Sequence, residues 1–425
     1  MIGRLALHAK NVLARYPGLY EAVARFSNRY FARARGSYPR PLGDEVGAVA
    51  RVLRGPKWNM AYGRGLAHER LEADFAEYLG GGLAVAVNTG GVALQMSMRA
   101  LGFKPGNEVL LQVDTCSATA FAVMNAGCTP IFADISQDTF MLQPDVGTLV
   151  GASTKGVIAT HMWGNPEDMG KIIEDFAARN VPVIEDACLS LGARANGRMA
   201  GTSGKVGVFS FGCVKPIQGG EGGMIVTHDE TLARELRSLR HWGDRTLDYG
   251  VRDTTQLAWN GRMSEIVAAV VREQLKGYPG YLRDLQDAVA GFQDYLRGVD
   301  GVELVLGHGA SVQDCAFTQV VVKLDERKLG RTKAALRDAL AAQGIVTWHA
   351  NFEAIPSVSF FKDGFWRDWI LAGDIERAAA NYASVFPGYQ QVYDHSGLGI
   401  AKTHFATPGR ARSLQRALSA VLASP

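Results

Sequence analysis

The sequence predicts an α/β protein: a large domain on a mostly parallel sheet, followed by a smaller α+β domain. Three observations carry this. Short apolar runs alternate with helix-period segments from about Asp44 to Leu275, the pattern of a parallel sheet buried on both faces. After about Lys276 the alternation gives way to one long helical stretch and a few isolated strand-like runs. The 425 residues are 47% hydrophobic and 20% charged, enough for a large core and a second, smaller one.

Residues 1–45 read as a basic arm. Between Met1 and Arg40 there are eight Lys/Arg and one acid, Glu21, with apolar residues interleaved at helical spacing. Such an arm packs on the body or on a partner subunit; contact with an anionic membrane is the rarer use.

The large domain is expected over residues 46–277. Val46 to Leu53 and His68 to Leu79 read as helices, the second stopped by Gly80-Gly81-Gly82. Strands follow at Leu83–Val87, Glu108–Val113, Pro130–Ala133, Gly156–Thr160, Val181–Ile184, Val206–Phe211 and Gly223–Val226. Helices at Val92–Leu101, Ser117–Ala126 and Pro166–Arg179 connect them. The small domain, 278–425, begins with a helix at Tyr278–Leu296. It continues with strands at Val302–Leu306 and Phe317–Lys323 and a helix at Thr332–Gln343, and closes on the helix Arg410–Leu422.

A net charge of only +3 gives no electrostatic footprint for nucleic acid. The five cysteines are odd in number and lack CxxC spacing, which fits a reduced, cytoplasmic protein and offers no zinc site. No apolar run is long enough to cross a bilayer, and no export signal is apparent.

Ligands of such sheets bind at the carboxyl ends of the strands, and four segments fall there. Asn88-Thr89-Gly90-Gly91-Val92 opens a helix with small residues, suited either to a plain tight turn or to a phosphate on free backbone N–H groups. Val183-Ile184-Glu185-Asp186 ends an apolar strand in two acids, which serve as a helix cap or hold a cationic nitrogen. Phe209-Ser210-Phe211-Gly212-Cys213-Val214-Lys215 sets a lysine just past a strand, where it is merely solvated or acts as an amine nucleophile. Trp259-Asn260-Gly261-Arg262-Met263-Ser264-Glu265 reads as a turn into a long helix with Ser264 or Asn260 as its cap.

In this order the four segments resemble the sugar aminotransferases of fold type I (the DegT/StrS group), from about Trp58 to Leu275. The connecting phrases Pro105-Gly106-Asn107-Glu108-Val109, Ala126-Gly127-Cys128-Thr129-Pro130 and His161-Met162-Trp163-Gly164-Asn165-Pro166 match as well. The resemblance implies a seven-stranded-type sheet and pyridoxal 5'-phosphate as cofactor. Lys215 then matches the Schiff-base lysine and proton shuttle, and Asp186 the partner of the pyridine nitrogen. Gly90, Gly91 and Val92 match the helix start that meets the phosphate, with Ser210 adding a hydroxyl. Asn260 matches a residue that reaches the neighbouring subunit's phosphate, so a homodimer with shared active sites is expected.

The chain departs from the family at three of these positions. Gly91 replaces a hydroxyl residue, Cys116 stands where an aromatic ring stacks on the cofactor, and Leu189 replaces the partner of the ring hydroxyl. No metal is expected. The implied activity moves an amino group from glutamate or glutamine to a keto sugar, nucleotide-linked, or a cyclitol, in antibiotic or polysaccharide biosynthesis. A PLP-dependent dehydratase, lyase or synthase, and a non-catalytic binding paralogue, are the alternatives. Asn381 to His404 matches nothing familiar.

Overall fold

A computed structural model describes residues 42–55, 66–143, 146–246, 250, 253–254 and 256–423. Residues 1–41 of the basic arm, and Trp58 where the likeness begins, lie outside them. The strands are β1 (Leu83–Val87), β2 (Glu108–Gln112), β3 (Thr129–Ala133), β4 (Thr154–Thr160), β5 (Val183–Asp186), a short ribbon β6–β7 (Arg194–Ala195, Arg198–Met199), β8 (Val206–Ser210) and β9 (Gly223–Thr227). Then come β10 (Val302–Leu304), β11 (Val320–Leu324), β12 (Thr347–His349) and β13 (Gly397–Ile400).

Seven strands form one sheet in the order β1-β9-β8-β5-β4-β2-β3. Neighbours from β8 through β5, β4 and β2 to β3 run parallel, and β9 alone is antiparallel to both its neighbours. A second sheet, β10-β11-β13-β12, is antiparallel throughout.

Strand alternation distributes the large sheet's side chains between two cores. Val85, Val109, Leu111, Ile184, Val206, Val208 and Ile225 join the core formed with the helices Gly90–Ala100 and Ser117–Asn125. Ala84, Ala86, Met224 and Val226 pack on the opposite face, with Phe75 and Leu71 of the helix Leu66–Leu79. On that same opposite face, farther along the sheet, Leu110, Val157 and Val183 bury against the helix Met169–Ala177. That two-sided burial is why the strands read as unbroken apolar runs.

The Leu66–Leu79 helix stops where the glycines require it. Gly80 and Gly81 take φ of 88° and 131° and donate to Glu77 and Ala76 carbonyls at 3.0 and 2.8 Å, the left-handed exit that glycine accepts without a Cβ clash.

Two readings from sequence change. The long helix starts at Glu265, capped by Ser264, and runs unbroken to Leu296 through Pro279. Proline forfeits one helical hydrogen bond, but Tyr278 beside it is fully buried and donates to the Leu191 carbonyl at 2.7 Å, and packing carries the helix through. The unfamiliar stretch from Asn381 begins on the last residues of a helix, Ile375–Tyr382, that covers the sheet edge. Asn381 gives β3 both halves of a strand pairing, accepting from the Phe132 N–H at 2.8 Å and donating to its carbonyl at 2.9 Å. An edge strand is thereby closed to other chains.

Candidate active site

At the carboxyl end of β5 the chain places Glu185 and Asp186 on opposite faces, because consecutive strand residues alternate. Glu185 points toward the ribbon and turn that follow β5. It accepts from His161 Nε2 at 2.9 Å, from the Gly201 N–H at 2.8 Å, from the Ser203 N–H at 2.6 Å, and from the Gly204 N–H. Burial works against its charge, but these bonds, led by His161, prevail and hold the carboxyl below the usual range. The donor role of His161 Nε2 follows from Nδ1, which accepts from the Glu167 N–H at 2.8 Å.

Asp186 shares the face of Ile184 and looks toward the helices Gly90–Ala100 and Ser117–Asn125. It is 4% exposed. Oδ1 accepts from the Cys188 N–H at 3.1 Å and Oδ2 from the Thr119 hydroxyl at 3.1 Å. A carboxylate offers about four lone-pair sites, so Asp186 keeps acceptor capacity for another donor.

The Gly90–Ala100 helix approaches the same place. A Cβ built on Gly90 would lie 2.9 Å from Ser210 Cβ and 3.2 Å from Cys188 Sγ, so only glycine lets this helix start reach β8. Thr89 caps the helix, its Oγ1 accepting from the Val92 N–H at 3.1 Å. Of the first-turn donors expected at a phosphate, Val92 is therefore already bonded, and Gly90 and Gly91 carry N–H groups that have no partner within the helix.

Ser210 ends β8, its Oγ accepting from the Gly212 N–H at 3.4 Å, and the Lys215 N–H closes the turn on the Gly212 carbonyl at 3.1 Å. Cys188 links these parts. Its buried thiol is pushed well up, first by burial and then by the Asp186 charge, while the positive charge of Lys215 opposes the rise. Gly90, Asp186 and Lys215 thus converge around one thiol, with Ser210 against Gly90.

Cys116 is exposed at the N-cap of the Ser117–Asn125 helix, without a side-chain cap bond, three residues before Thr119. Leu189 turns toward a different cluster, with Trp163 and Met162. Asn260 is exposed and bridges to His241, and the next residue, Gly261, accepts from the Asn88 N–H at 2.8 Å. Among the described residues no group of three or more His, Cys, Asp or Glu could hold a metal.

Sequence reasoning missed Thr119 and Cys188. Thr119 sits one helical turn beyond Cys116 and so on its face, and Cys188 lies two residues past Asp186, where an Asx turn brings its N–H back to the carboxylate. Both signals were present in the spacing.

The seven-stranded, mostly parallel sheet with a smaller antiparallel sheet beside it is the architecture of fold-type I PLP enzymes. The chain belongs to the DegT/DnrJ/EryC1/StrS aminotransferase family, whose model matches residues 43–368. It is 31% identical to a UDP-N-acetyl-3-dehydro-alpha-D-glucosamine 3-aminotransferase of Acidithiobacillus ferrooxidans, over 72% of this chain and 79% of the relative. It is also 31% identical to the dTDP-3-amino-3,4,6-trideoxy-alpha-D-glucose transaminase of Streptomyces venezuelae, over 75% and 80%. The crystal structure of S. venezuelae DesV in complex with a ketimine intermediate superposes with a TM-score of 0.73 at 27% identity, covering 90% of this chain and 95% of that one. The protein is an aminotransferase, and its cofactor is pyridoxal phosphate.

Proposed function

We propose that the chain transfers an amino group from glutamate or glutamine to the keto group of a nucleotide-linked sugar. The observation that carries the site is Asp186, a buried strand-end carboxylate with unfilled acceptor capacity, facing a glycine-opened helix start and sharing with Lys215 the neighbourhood of the Cys188 thiol. The family and the nucleotide-sugar substrates named for both relatives support the acceptor class.

When bound, pyridoxal phosphate supplies an electron sink for bonds at the amino-bearing carbon. In this reading Lys215 holds the cofactor and carries the proton to and from that carbon. Asp186 accepts from the pyridine N–H and keeps that nitrogen cationic. The N–H groups of Gly90 and Gly91, at the positive end of their helix, and the Ser210 hydroxyl take the phosphate. Cys116 packs against the ring in place of an aromatic side chain. Asn260, exposed in its own chain, reaches the site of a second copy, which makes the working unit a homodimer. The large sheet with its helices forms the cofactor domain and the antiparallel sheet the small domain. Five free cysteines accord with work in the cytoplasm.

The test is an absorbance titration with pyridoxal phosphate, wild type against Lys215→Ala. Wild type is expected to gain a band near about 410–430 nm that borohydride bleaches, and the variant to lack it. Donor alone should then discharge the band, and a keto sugar nucleotide should restore it. A wild type with no band would overturn the reading. Loss of water from the sugar, without a new C–N bond, would move it to a dehydratase.

A further inference from the structure

Of the two 3.1 Å donors to Asp186 among the described residues, one is a side chain from another element. We propose that Thr119 is the positioning residue that sets the plane of the Asp186 carboxylate for the cofactor's pyridine nitrogen; this rests on the role given to Asp186 above.

Rotation about the last side-chain bond of an aspartate is soft, so a lone carboxylate samples a broad range of planes. One donor on each oxygen removes that freedom. The Cys188 N–H belongs to the same turn as Asp186 and moves with it. Thr119 comes from the first turn of the Ser117–Asn125 helix, so its bond fixes the carboxylate relative to the body.

The bond has a definite direction. A carboxylate only accepts, so the single Thr119 hydroxyl hydrogen is committed to Asp186. The Thr119 oxygen is then left facing Thr115 Oγ1 at 3.4 Å, and Thr115 faces Thr160 Oγ1, at the end of β4, at 3.3 Å. All three hydroxyl residues are buried. Those two contacts are long for O–H···O bonds, so they orient the chain of hydroxyls more than they strengthen it.

Among the described residues only the longer Thr115 contact competes for the Thr119 hydroxyl. It makes no bond to its own helix backbone among those described, and the N-cap is Cys116, which makes no cap bond either.

The experiment compares Thr119→Val, which exchanges the hydroxyl for a methyl at nearly constant shape, with Thr119→Ser, which keeps the hydroxyl. The readouts are the pyridoxal phosphate dissociation constant of reconstituted protein, the visible circular dichroism of the bound cofactor, and the unfolding temperature before reconstitution. Thr119→Val should weaken binding about tenfold and diminish the dichroism, and Thr119→Ser should stay within about threefold of wild type on binding. Thr119→Ala gives the same readouts if valine is not tolerated by the fold. A hydroxyl-free variant that binds and orients the cofactor as wild type does would overturn the proposal. So would a serine variant as impaired as the valine one, which would assign the effect to packing. If wild type itself bound no pyridoxal phosphate, the role of Asp186 would fall first; if wild type bound and Thr119→Val matched it, only the role of Thr119 would.

Discussion

Glu185 and Asp186 are adjacent on β5, equally withdrawn from water, yet their surroundings differ in kind. Glu185 is saturated: an imidazole and three backbone N–H groups occupy its oxygens, and it fastens the turn 201–204 to the sheet. Among the described residues Asp186 receives only the Cys188 N–H and the Thr119 hydroxyl at 3.1 Å, with the Cys188 thiol beside them. Burying a carboxylate is costly unless it is paired, so an incompletely paired one belongs where another partner arrives. Counting donors separates the structural acid from the functional one where residue type and burial do not.

Exchanging each acid for its amide breaks the comparison most severely. Glu185→Gln turns an NH2 toward groups that all donate, a loss of about 1–3 kcal/mol in denaturant unfolding. Asp186→Asn should cost about 1 kcal/mol or less while abolishing measurable cofactor affinity in the same protein. Equal stability losses from the two variants would erase the distinction.

A third acid sharpens it. Asp114 follows β2, fully buried, between Gln112 Nε2 at 2.8 Å and Asn351 Nδ2, and thereby ties the segment after β12 to the large sheet. Burial pushes its pKa up from 3.8 to about 6, with the two amide bonds opposing. A raised acid pKa contributes stability that is complete below about 3.8 and lost as pH rises through about 6. The Asp114→Asn penalty should therefore be larger near pH 4 than near pH 7, by up to about 3 kcal/mol, read from urea unfolding at both pH values. A penalty that grows with pH would show that the amide bonds outweigh burial. The smallest effect is at the helix start: Thr89→Ala loses the cap on Val92 and about 1 kcal/mol, visible as a small drop in unfolding temperature.

Much of this was legible in the sequence because it is local. The strands of the large sheet appear as short apolar runs between helix-period segments, and Gly90, Asp186, Ser210 and Lys215 fall at or just past strand ends. What escaped depends on contacts across the chain. Thr119 matters only because its helix lies over β5, and Pro279 is tolerated only because Tyr278 buries its ring. Asn381 imitates a strand 249 residues away from its partner Phe132, a relation that no local window contains.

Gly90 and Gly91 stand side by side at the same helix start, yet the packing leaves room for a side chain at only one of them. Position 90 is closed, since any side chain would strike Ser210. At position 91 the nearest atom to an added Cβ is Thr89 Oγ1, 4.0 Å away, and the backbone is ordinary helix. A single change to serine would fit there without steric cost and gain helix propensity over glycine. A hydroxyl at position 91 is thus one substitution away, and the packing of the fold raises no bar against it.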